Sequence, residues 1–334
     1  MRSARNSAST KRLPSRNIFR HRHKVAETLR IQMNLLISHS RGAFAGFALV
    51  LMALAAPARG QQVMGHDWKS GFVTATDGVK IHYVEAGAKN AAPAVLFVPG
   101  WLMPAWIWES QFDALSKNYR VVAIDPRSQG ESDRTGEGLY PAQMARDIHS
   151  AIEQLQLAPV VIVGWSMAIV ETLAYVDQFG TKDVAGLVLV DELAGGMEPG
   201  DAEMDLGILK GVLTDRKNTT EYFVRKIQFH KPRPEDYVER VIAAAMETPT
   251  SDSVALLVGR YTADYRAVLP KIDKPTLVCA AKPSPYFDRV EAMQKQIPGS
   301  RLEVFEGAGH ALFVDNPGQF NAAMESFLSG LKSK

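Results

Sequence analysis

The stretch from Pro159 to Gly180 constrains the fold more than any other part of the chain. Four β-branched apolar residues, Val160 to Val163, predict a strand that is buried on both faces. A Gly-Trp-Ser-Met-Ala segment follows, and the next residues predict a helix that ends at Gly180. A serine at such a sharp strand-to-helix turn is typical of a nucleophile elbow, where small flanking residues permit a strained backbone. The pattern therefore predicts Ser166 as a nucleophile.

The segments around this stretch alternate between short apolar strands and helices. Strands are predicted at residues 72–74, 80–84, 94–98, 121–124, 187–190, 276–279 and 302–305, and helices after Pro141 and from Asn316. This alternation predicts an α/β fold with a mostly parallel central sheet and helices on both faces. The chemistry of such sheets lies outside the carboxyl ends of the strands, where Asp125, Ser166 and Asp191 fall.

Residues 193–270 interrupt the alternation. Helices are predicted there at residues 201–213, 220–229, 234–246 and 252–269, with prolines at the joints. Such a long stretch without a strong strand exceeds an ordinary connection, so we expect a helical cap over the sheet edge, with ordinary crossover helices as the alternative. The predicted domains are residues 61–192 and 271–334 for the two parts of the core and residues 193–270 for the cap.

Residues 1–60 are predicted to be a basic extension and a signal peptide. Residues 1–32 carry nine Lys and Arg against one Glu, and an uncharged apolar run from Ala43 to Ala56 precedes a small-residue cleavage pattern. Fourteen apolar residues are short for a membrane span. We therefore expect a periplasmic or secreted protein without a stable span after cleavage, with an uncleaved anchor or a transit peptide as alternatives. Translation starts at Met1 or at Met33, where an ordinary signal peptide begins.

The charge balance and the cysteine count bear on nucleic-acid binding and on disulfide bonds. Lys and Arg number 38 against 36 Asp and Glu, so the balance gives no reason to expect nucleic acid as a partner. The single cysteine, Cys279, excludes an internal disulfide and lies in an apolar run. We expect a small apolar molecule as the partner, and the sequence leaves the oligomeric state open.

Four motifs in order resemble the α/β-hydrolase superfamily over about residues 70–330. They are Pro99-Gly100-Trp101, the run from Asp125 to Asp133, the elbow at Ser166, and Gly307-Ala308-Gly309-His310. The methionine after the elbow serine and the loop after the strand at 187–190 resemble the cofactor-free haloperoxidase and esterase branch. This resemblance implies a serine nucleophile, a histidine base and an acid in the order Ser, Asp or Glu, His. His310 is the predicted base, and neither a metal nor an organic cofactor is implied.

The acid departs from the pattern of most members of the superfamily. Ser284 stands near the place, after the strand at 276–279, where most members carry an aspartate. Some members take the acid from the end of the strand after the nucleophile strand and its helix, and Asp191 occupies that place. Asp288 and Glu192 remain the alternatives.

The resemblance also implies an oxyanion hole, and the tryptophans and methionines of the same segments predict an apolar substrate pocket. The backbone N–H groups of Trp101 and Met167 are the implied donors to the oxyanion. The side chains of Trp165 and Met103, which lie in the same two segments, are predicted to contact an apolar substrate. Asp125 and Arg127 are predicted to form an ion pair that holds the loop after the strand at 121–124, with contact to a substrate as the alternative.

These residues predict a secreted serine hydrolase that cleaves carboxylic esters or lactones through an acyl-enzyme. A perhydrolase of the haloperoxidase type and a carbon–carbon bond hydrolase are the catalytic alternatives. The remaining alternative is a non-catalytic member of the fold that binds a small ligand.

Overall fold

The structure, a computed structural model, describes residues 66–196 and 198–332. The predicted basic extension and signal peptide therefore lie outside the described residues.

The described strands form one sheet in the order β1-β2-β4-β3-β5-β6-β7-β8. Their bounds are β1 Lys69–Thr74, β2 Lys80–Ala86, β3 Ala94–Val98, β4 Val121–Ile124, β5 Val160–Trp165, β6 Val184–Val190, β7 Thr276–Ala281 and β8 Arg301–Phe305. The first two strands pair antiparallel, β2 pairs antiparallel with β4, and the strands from β4 to β8 run parallel. The predicted α/β fold with a mostly parallel sheet is confirmed.

Helices connect the parallel strands. Their bounds are α1 Glu109–Leu115, α2 Pro141–Leu155, α3 Ala168–Phe179, α4 Pro199–Thr214, α5 Arg216–Tyr222, α6 Glu235–Glu247, α7 Thr250–Tyr261, α8 Phe287–Gln294, α9 Leu312–Asp315 and α10 Pro317–Lys332. Two 3₁₀-helices span Ala105–Trp108 and Arg266–Lys271, and a π-helix spans Phe223–Gln228. The sequence pattern did not predict α1, α8, α9 or the first 3₁₀-helix, which are short elements with weak periodicity.

Between β6 and β7 the described residues contain helices and no named strand. The predicted helix at 252–269 is wrong beyond Tyr261, because the chain there turns to bond with the segment after β6. The Tyr265 N–H donates to the Ala194 carbonyl at 2.8 Å, and Gly195 bridges to Asp264. The predicted helix at 220–229 is in fact α5 continued by the π-helix. The domain boundaries themselves stay a prediction.

Strand β5 lies in the middle of the core. Val161 and Val163 belong to the apolar cluster on one face of the sheet, and Val160 and Ile162 belong to the cluster on the other face. All four side chains are fully buried. Burial on both faces fixes the end of β5, and therefore the position of the residue that follows it.

Among the described helices, none is alone long and apolar enough to cross a membrane. The pair α6 and α7 passes the length and composition test together, but the two helices are bent by 89° at their junction.

Helix α3 carries a buried carboxyl group. Glu171 is 1% exposed, and neither of its carboxyl oxygens has a hydrogen-bond partner among the described residues. Burial, reinforced by the nearby Asp147, raises the pKa of Glu171 to about 8. The folded protein therefore holds Glu171 protonated at neutral pH, whereas the unfolded chain ionises it.

We expect Glu171→Gln to stabilise the protein increasingly as the pH rises. Folding raises the pKa of Glu171, so ionisation of this group at higher pH favours the unfolded chain. The resulting loss of free energy of unfolding is absent below the unfolded pKa and grows as the pH rises toward about 8. Above about pH 8 the loss is constant. The gain in free energy of unfolding should be roughly 3–5 kcal/mol at about pH 8 and near zero at about pH 4.5. Urea unfolding at both pH values measures it. An equal gain at both values would contradict a buried protonated carboxyl.

Candidate active site

Ser166 follows directly after β5 in a strained conformation. Its φ of 57° lies in the left-handed region, and its N–H donates to the Val190 carbonyl at 2.9 Å. Gly164 is required two residues earlier, because a Cβ there would lie 2.5 Å from the Thr172 hydroxyl and 2.7 Å from the Ala168 carbonyl. A left-handed serine packed this tightly between strand and helix has the geometry of a nucleophile elbow. Ser166 is 8% exposed.

The structure brings His310 and Asp191 to Ser166. His310 Nε2 lies 2.7 Å from the Ser166 hydroxyl, and His310 Nδ1 lies 2.9 Å from Asp191 Oδ2. The other Asp191 oxygen accepts the N–H of Ala281 at 2.8 Å. Asp191 also has a positive φ, 53°, at the end of β6. A hydroxyl, an imidazole and a carboxylate in this order can pass a proton from the serine to the histidine.

Backbone bonds to the π-helix hold the loop that carries His310. The N–H groups of His310 and Ala311 donate to the carbonyls of Ile227 at 3.1 Å and Gln228 at 2.8 Å. On the other side, the Trp165 indole N–H donates to the His310 carbonyl at 2.9 Å. The imidazole is therefore positioned by the helical insertion as well as by the sheet.

A buried carboxylate, Asp315, supports the same loop and was missed in the sequence. Its side chain accepts the N–H of Gly309 at 2.7 Å, the N–H of His230 at 2.7 Å and an N–H of the Arg233 guanidinium at 2.9 Å. The available signal was a lone aspartate directly after the apolar Leu312-Phe313-Val314, because a carboxylate in such a place requires partners.

The loop after β3 lies against the serine. A Cβ on Gly100 would meet the Ser166 Cβ at 2.8 Å and its hydroxyl at 3.3 Å. This close approach brings the backbone at Trp101 beside Ser166, and Met167 precedes the first turn of α3 on the other side. The N-terminus of a helix and an adjacent loop can supply N–H donors to a developing oxyanion.

A cavity of about 290 Å³ has Ser166, His310, Trp101 and Met167 in its wall. Most of the other lining side chains are apolar and come from the insertion and the loops after β7 and β8, among them Ile208, Phe223, Ile227, Phe229 and Leu257. The cavity matches an apolar group placed next to the serine hydroxyl. Among the described residues, no cluster of three or more His, Cys, Asp or Glu side chains could hold a metal ion.

Residues 95–323 match the model of the Alpha/beta hydrolase family. The chain belongs to this family. A non-heme haloperoxidase from Rhodococcus erythropolis is 26% identical over 280 residues, which cover 77% of this chain and 98% of the relative. The predicted resemblance to the cofactor-free haloperoxidase and esterase branch is confirmed.

Solved structures of the α/β-hydrolase family overlay well on this chain. An esterase from Exiguobacterium antarcticum matches with a TM-score of 0.72 and 28% identity, over 77% of this chain and 98% of its own. A bromoperoxidase from Bacillus anthracis shares the fold with a TM-score of 0.72 and 23% identity, over 78% of this chain and 100% of its own. The family and the relatives make this protein a hydrolase.

The three candidate acids of this hydrolase occupy different environments. Glu192 pairs with Arg260 at 2.8 Å, and Asp288 is exposed in the first turn of α8. Of the three, only Asp191 lies within hydrogen-bonding distance of His310 in the described structure.

The predicted ion pair between Asp125 and Arg127 is wrong. Asp125 instead lies 2.7 Å from His82 Nδ1 and accepts the N–H of Ala105 at 2.6 Å. The Arg127 guanidinium forms two bonds of 2.6 Å with Asp147 and one of 3.0 Å with Asp77. Asp125 and Arg127 therefore form these hydrogen bonds with different groups that are distant in the sequence, and not with each other.

The loop that follows β4 also braces the loop after β3. The side-chain oxygen of Gln129 accepts the N–H of Leu102, which has a φ of 63°. The Trp101 indole N–H donates to the Ser253 carbonyl on α7 at 3.0 Å. The backbone beside Ser166 is thus tied to the sheet and to the insertion.

The predicted substrate contacts of Trp165 and Met103 are not what the structure shows. Both side chains are fully buried, and neither is among the residues that line the cavity. The Trp165 ring packs between His310 and Phe313, with centroid distances of 5.5 and 4.8 Å. Its neighbour, Ser166, reverses the chain direction at the elbow, so Trp165 points into the core and not into the cavity.

We expect Gly100→Ala to lower activity without unfolding the protein. The new methyl group would displace the backbone at Trp101, the predicted oxyanion donor, from Ser166, and the loss of one such donor costs about 10²–10³ in kcat. Ester hydrolysis together with the melting temperature measures both effects. Gly330→Ala, a site with nothing within 4 Å, is the matched control and should keep full activity. Full activity in Gly100→Ala would place the oxyanion donors elsewhere.

Proposed function

We propose that this protein is a serine hydrolase that cleaves carboxylic esters or lactones through an acyl-enzyme on Ser166. The observation that carries the proposal is the continuous chain of hydrogen-bonding distances from Ser166 through His310 to Asp191, at the wall of a largely apolar cavity. The 28% identity to an esterase over most of the chain supports the same substrate class.

The proposed reaction begins when the Ser166 hydroxyl attacks the ester carbonyl. His310 accepts the serine proton at Nε2, and Asp191 at Nδ1 stabilises the resulting imidazolium. The N–H groups of Trp101 and Met167 receive the negative charge that develops on the carbonyl oxygen. His310 then gives the proton to the leaving alcohol, which departs and leaves the acyl group on Ser166.

The second half of the reaction repeats these roles with water as the attacking group. His310 removes a proton from the water, which attacks the acyl carbonyl, and the acid product leaves as Ser166 recovers its proton. Hydrogen peroxide can replace water at this step and gives a peracid. The similarity to a haloperoxidase favours this perhydrolysis as a second activity of the same acyl-enzyme.

A covalent probe tests the nucleophile. We expect a fluorophosphonate to label Ser166, and Ser166→Ala should lose labelling and about 10⁶ in kcat for a chromogenic ester. Mass spectrometry of the labelled peptide identifies the residue. Hydrolysis by the Ala variant at the rate of the wild type would end the serine-hydrolase proposal.

The acid is tested by a matched pair of substitutions. Asp191→Asn should cost about 10⁴ in kcat, because the amide favours the wrong tautomer of His310. Asp288→Asn makes the same change on an exposed carboxylate and should keep normal kcat. Steady-state kinetics at neutral pH measure both variants, and the reverse result would make Asp288 the acid.

We further propose that the enzyme is exported, on the strength of the apolar run from Ala43 to Ala56 and the cleavage pattern after it. Mature protein from the periplasm or medium of a native-like host should begin between Arg59 and Gln62. N-terminal sequencing checks this start. Enzyme that begins at Met1 or Met33 in the cytoplasm would contradict export.

A further inference from the structure

The cavity at Ser166 continues into a small side pocket of about 30 Å³. The two spaces share a wall that is formed by Glu192, Asp205, Arg260, Tyr261 and Tyr286. Ser166 and His310 line only the larger space. The shared wall is therefore the polar end of a cavity that is otherwise mostly apolar.

Two of the three charges in this wall cancel. The Arg260 guanidinium lies 2.8 Å from the Glu192 carboxylate, and their side chains are only 12% and 14% exposed. A close, sheltered pair presents little net charge to a ligand.

Asp205 is the charge that remains. It is 7% exposed, and the neutral Tyr261 phenol donates a hydrogen bond to it. Burial raises the pKa of Asp205 to about 6 although Arg260 and Tyr261 act to lower it. Arg260 attracts both Glu192 and Asp205, but one guanidinium cannot neutralise two carboxylates, so the shared wall keeps one net negative charge at neutral pH, and Asp205 is the carboxylate without the direct ion pair.

Two basic residues outside the shared wall also line the cavity. Lys226 and His230 line the cavity but are exposed to solvent. Water and salt screen exposed charges strongly, whereas the field of a buried charge is screened much less. At the shared wall, the buried Asp205 is therefore screened less than these exposed side chains.

We propose that Asp205 sets a charge preference for the substrate, so that the cavity accepts neutral acyl chains and excludes chains that end in an anionic group. The proposal rests on the proposed ester hydrolysis at Ser166. An anionic chain end brought to the shared wall meets the Asp205 carboxylate and loses its water, and both effects oppose binding. A neutral chain end meets neither cost.

A pair of chromogenic esters of equal length tests the preference. One acyl chain ends in a methyl group and the other in a sulfonate, which stays charged at all working pH values. We expect the wild type to favour the neutral ester in kcat/KM by at least about 30-fold at about pH 7.5 and Asp205→Asn to reduce this ratio by about tenfold.

Glu203→Gln is the matched control for Asp205→Asn. It removes one negative charge from the same helix, α4, at an exposed position. We expect it to leave the ratio of the two esters unchanged. Equal turnover of both esters by the wild type, or an unchanged ratio in Asp205→Asn, would overturn the proposal.

The pH dependence of the wild-type ratio gives a second test without a variant. Asp205 gains its proton as the pH falls below about 6, so the preference for the neutral ester should weaken toward pH 5. Both esters need the same unprotonated His310, so this requirement cancels in the ratio. His230 also lines the cavity, so His230→Gln is the control: it must keep the pH dependence while Asp205→Asn removes it. The opposite pattern would assign the effect to His230.

The other groups that face Asp205 keep their charge states in this test. Burial lowers the pKa of Arg260, but Glu192 and Asp205 outweigh it, so the pKa is raised and the guanidinium stays charged. Burial raises the pKa of Tyr261 and of Tyr286, which stay neutral.

Asp201 faces Asp205 from one turn earlier on α4. Burial raises the pKa of Asp201, but a backbone bond at Glu198 and the Arg289 guanidinium outweigh burial and lower it. Asp201 therefore stays ionised, and Asp205→Asn isolates the contribution of Asp205.

A binding measurement separates this proposal from ester hydrolysis. The same two acyl chains as amides are titrated onto Ser166→Ala, which needs no turnover. Weaker binding of the sulfonate chain, relieved in the double variant with Asp205→Asn, supports the charge preference even where no ester is hydrolysed. Equal binding of both amides would reject it.

Discussion

The left-handed backbone of Ser166 is the constraint on which the site depends. A non-glycine residue at φ 57° costs of order 1–3 kcal/mol and persists only where its surroundings enforce it. Here the enforcement comes from β5, buried on both faces, and from the bond between the Ser166 N–H and the Val190 carbonyl. The backbone packs so closely at Gly100 and Gly164 that neither position has space for a side chain. The core of the sheet thus holds the serine hydroxyl in the cavity wall.

Asp191, the proposed acid, also has a left-handed backbone directly after a buried strand, in this case β6. Asp191 ends β6 with a φ of 53°, and its carboxylate is oriented by the N–H of Ala281 at the end of β7. His310 comes from the loop after β8 and needs no strain of its own, because bonds to Ile227 and Gln228 hold it. Three strand ends and the insertion therefore converge on one chain of hydrogen-bonding distances.

Local sequence patterns predicted those parts of the molecule that depend on near neighbours. The buried run from Val160 to Val163 and the small residues around Ser166 indicated both the strand and the turn. The choice of partners across the fold was not predictable in this way. The partners of Arg127, Asp147 and Asp77, lie 20 and 50 residues away along the chain, so no local pattern indicates them. Trp165 was assigned to the cavity because the direction of a side chain at a sharp turn cannot be read from its apolar character.

The bonds between the His310 loop and the π-helix use main-chain atoms on both sides. A carbonyl oxygen is present at every residue, so the side chain of Ile227 is not needed for the bond that its carbonyl accepts. That same side chain lines the cavity. The segment can therefore exchange the groups that meet a substrate while the imidazole keeps its support. At Ile227, the atoms that shape the cavity and the atom that holds His310 thus belong to one residue but to different parts of it.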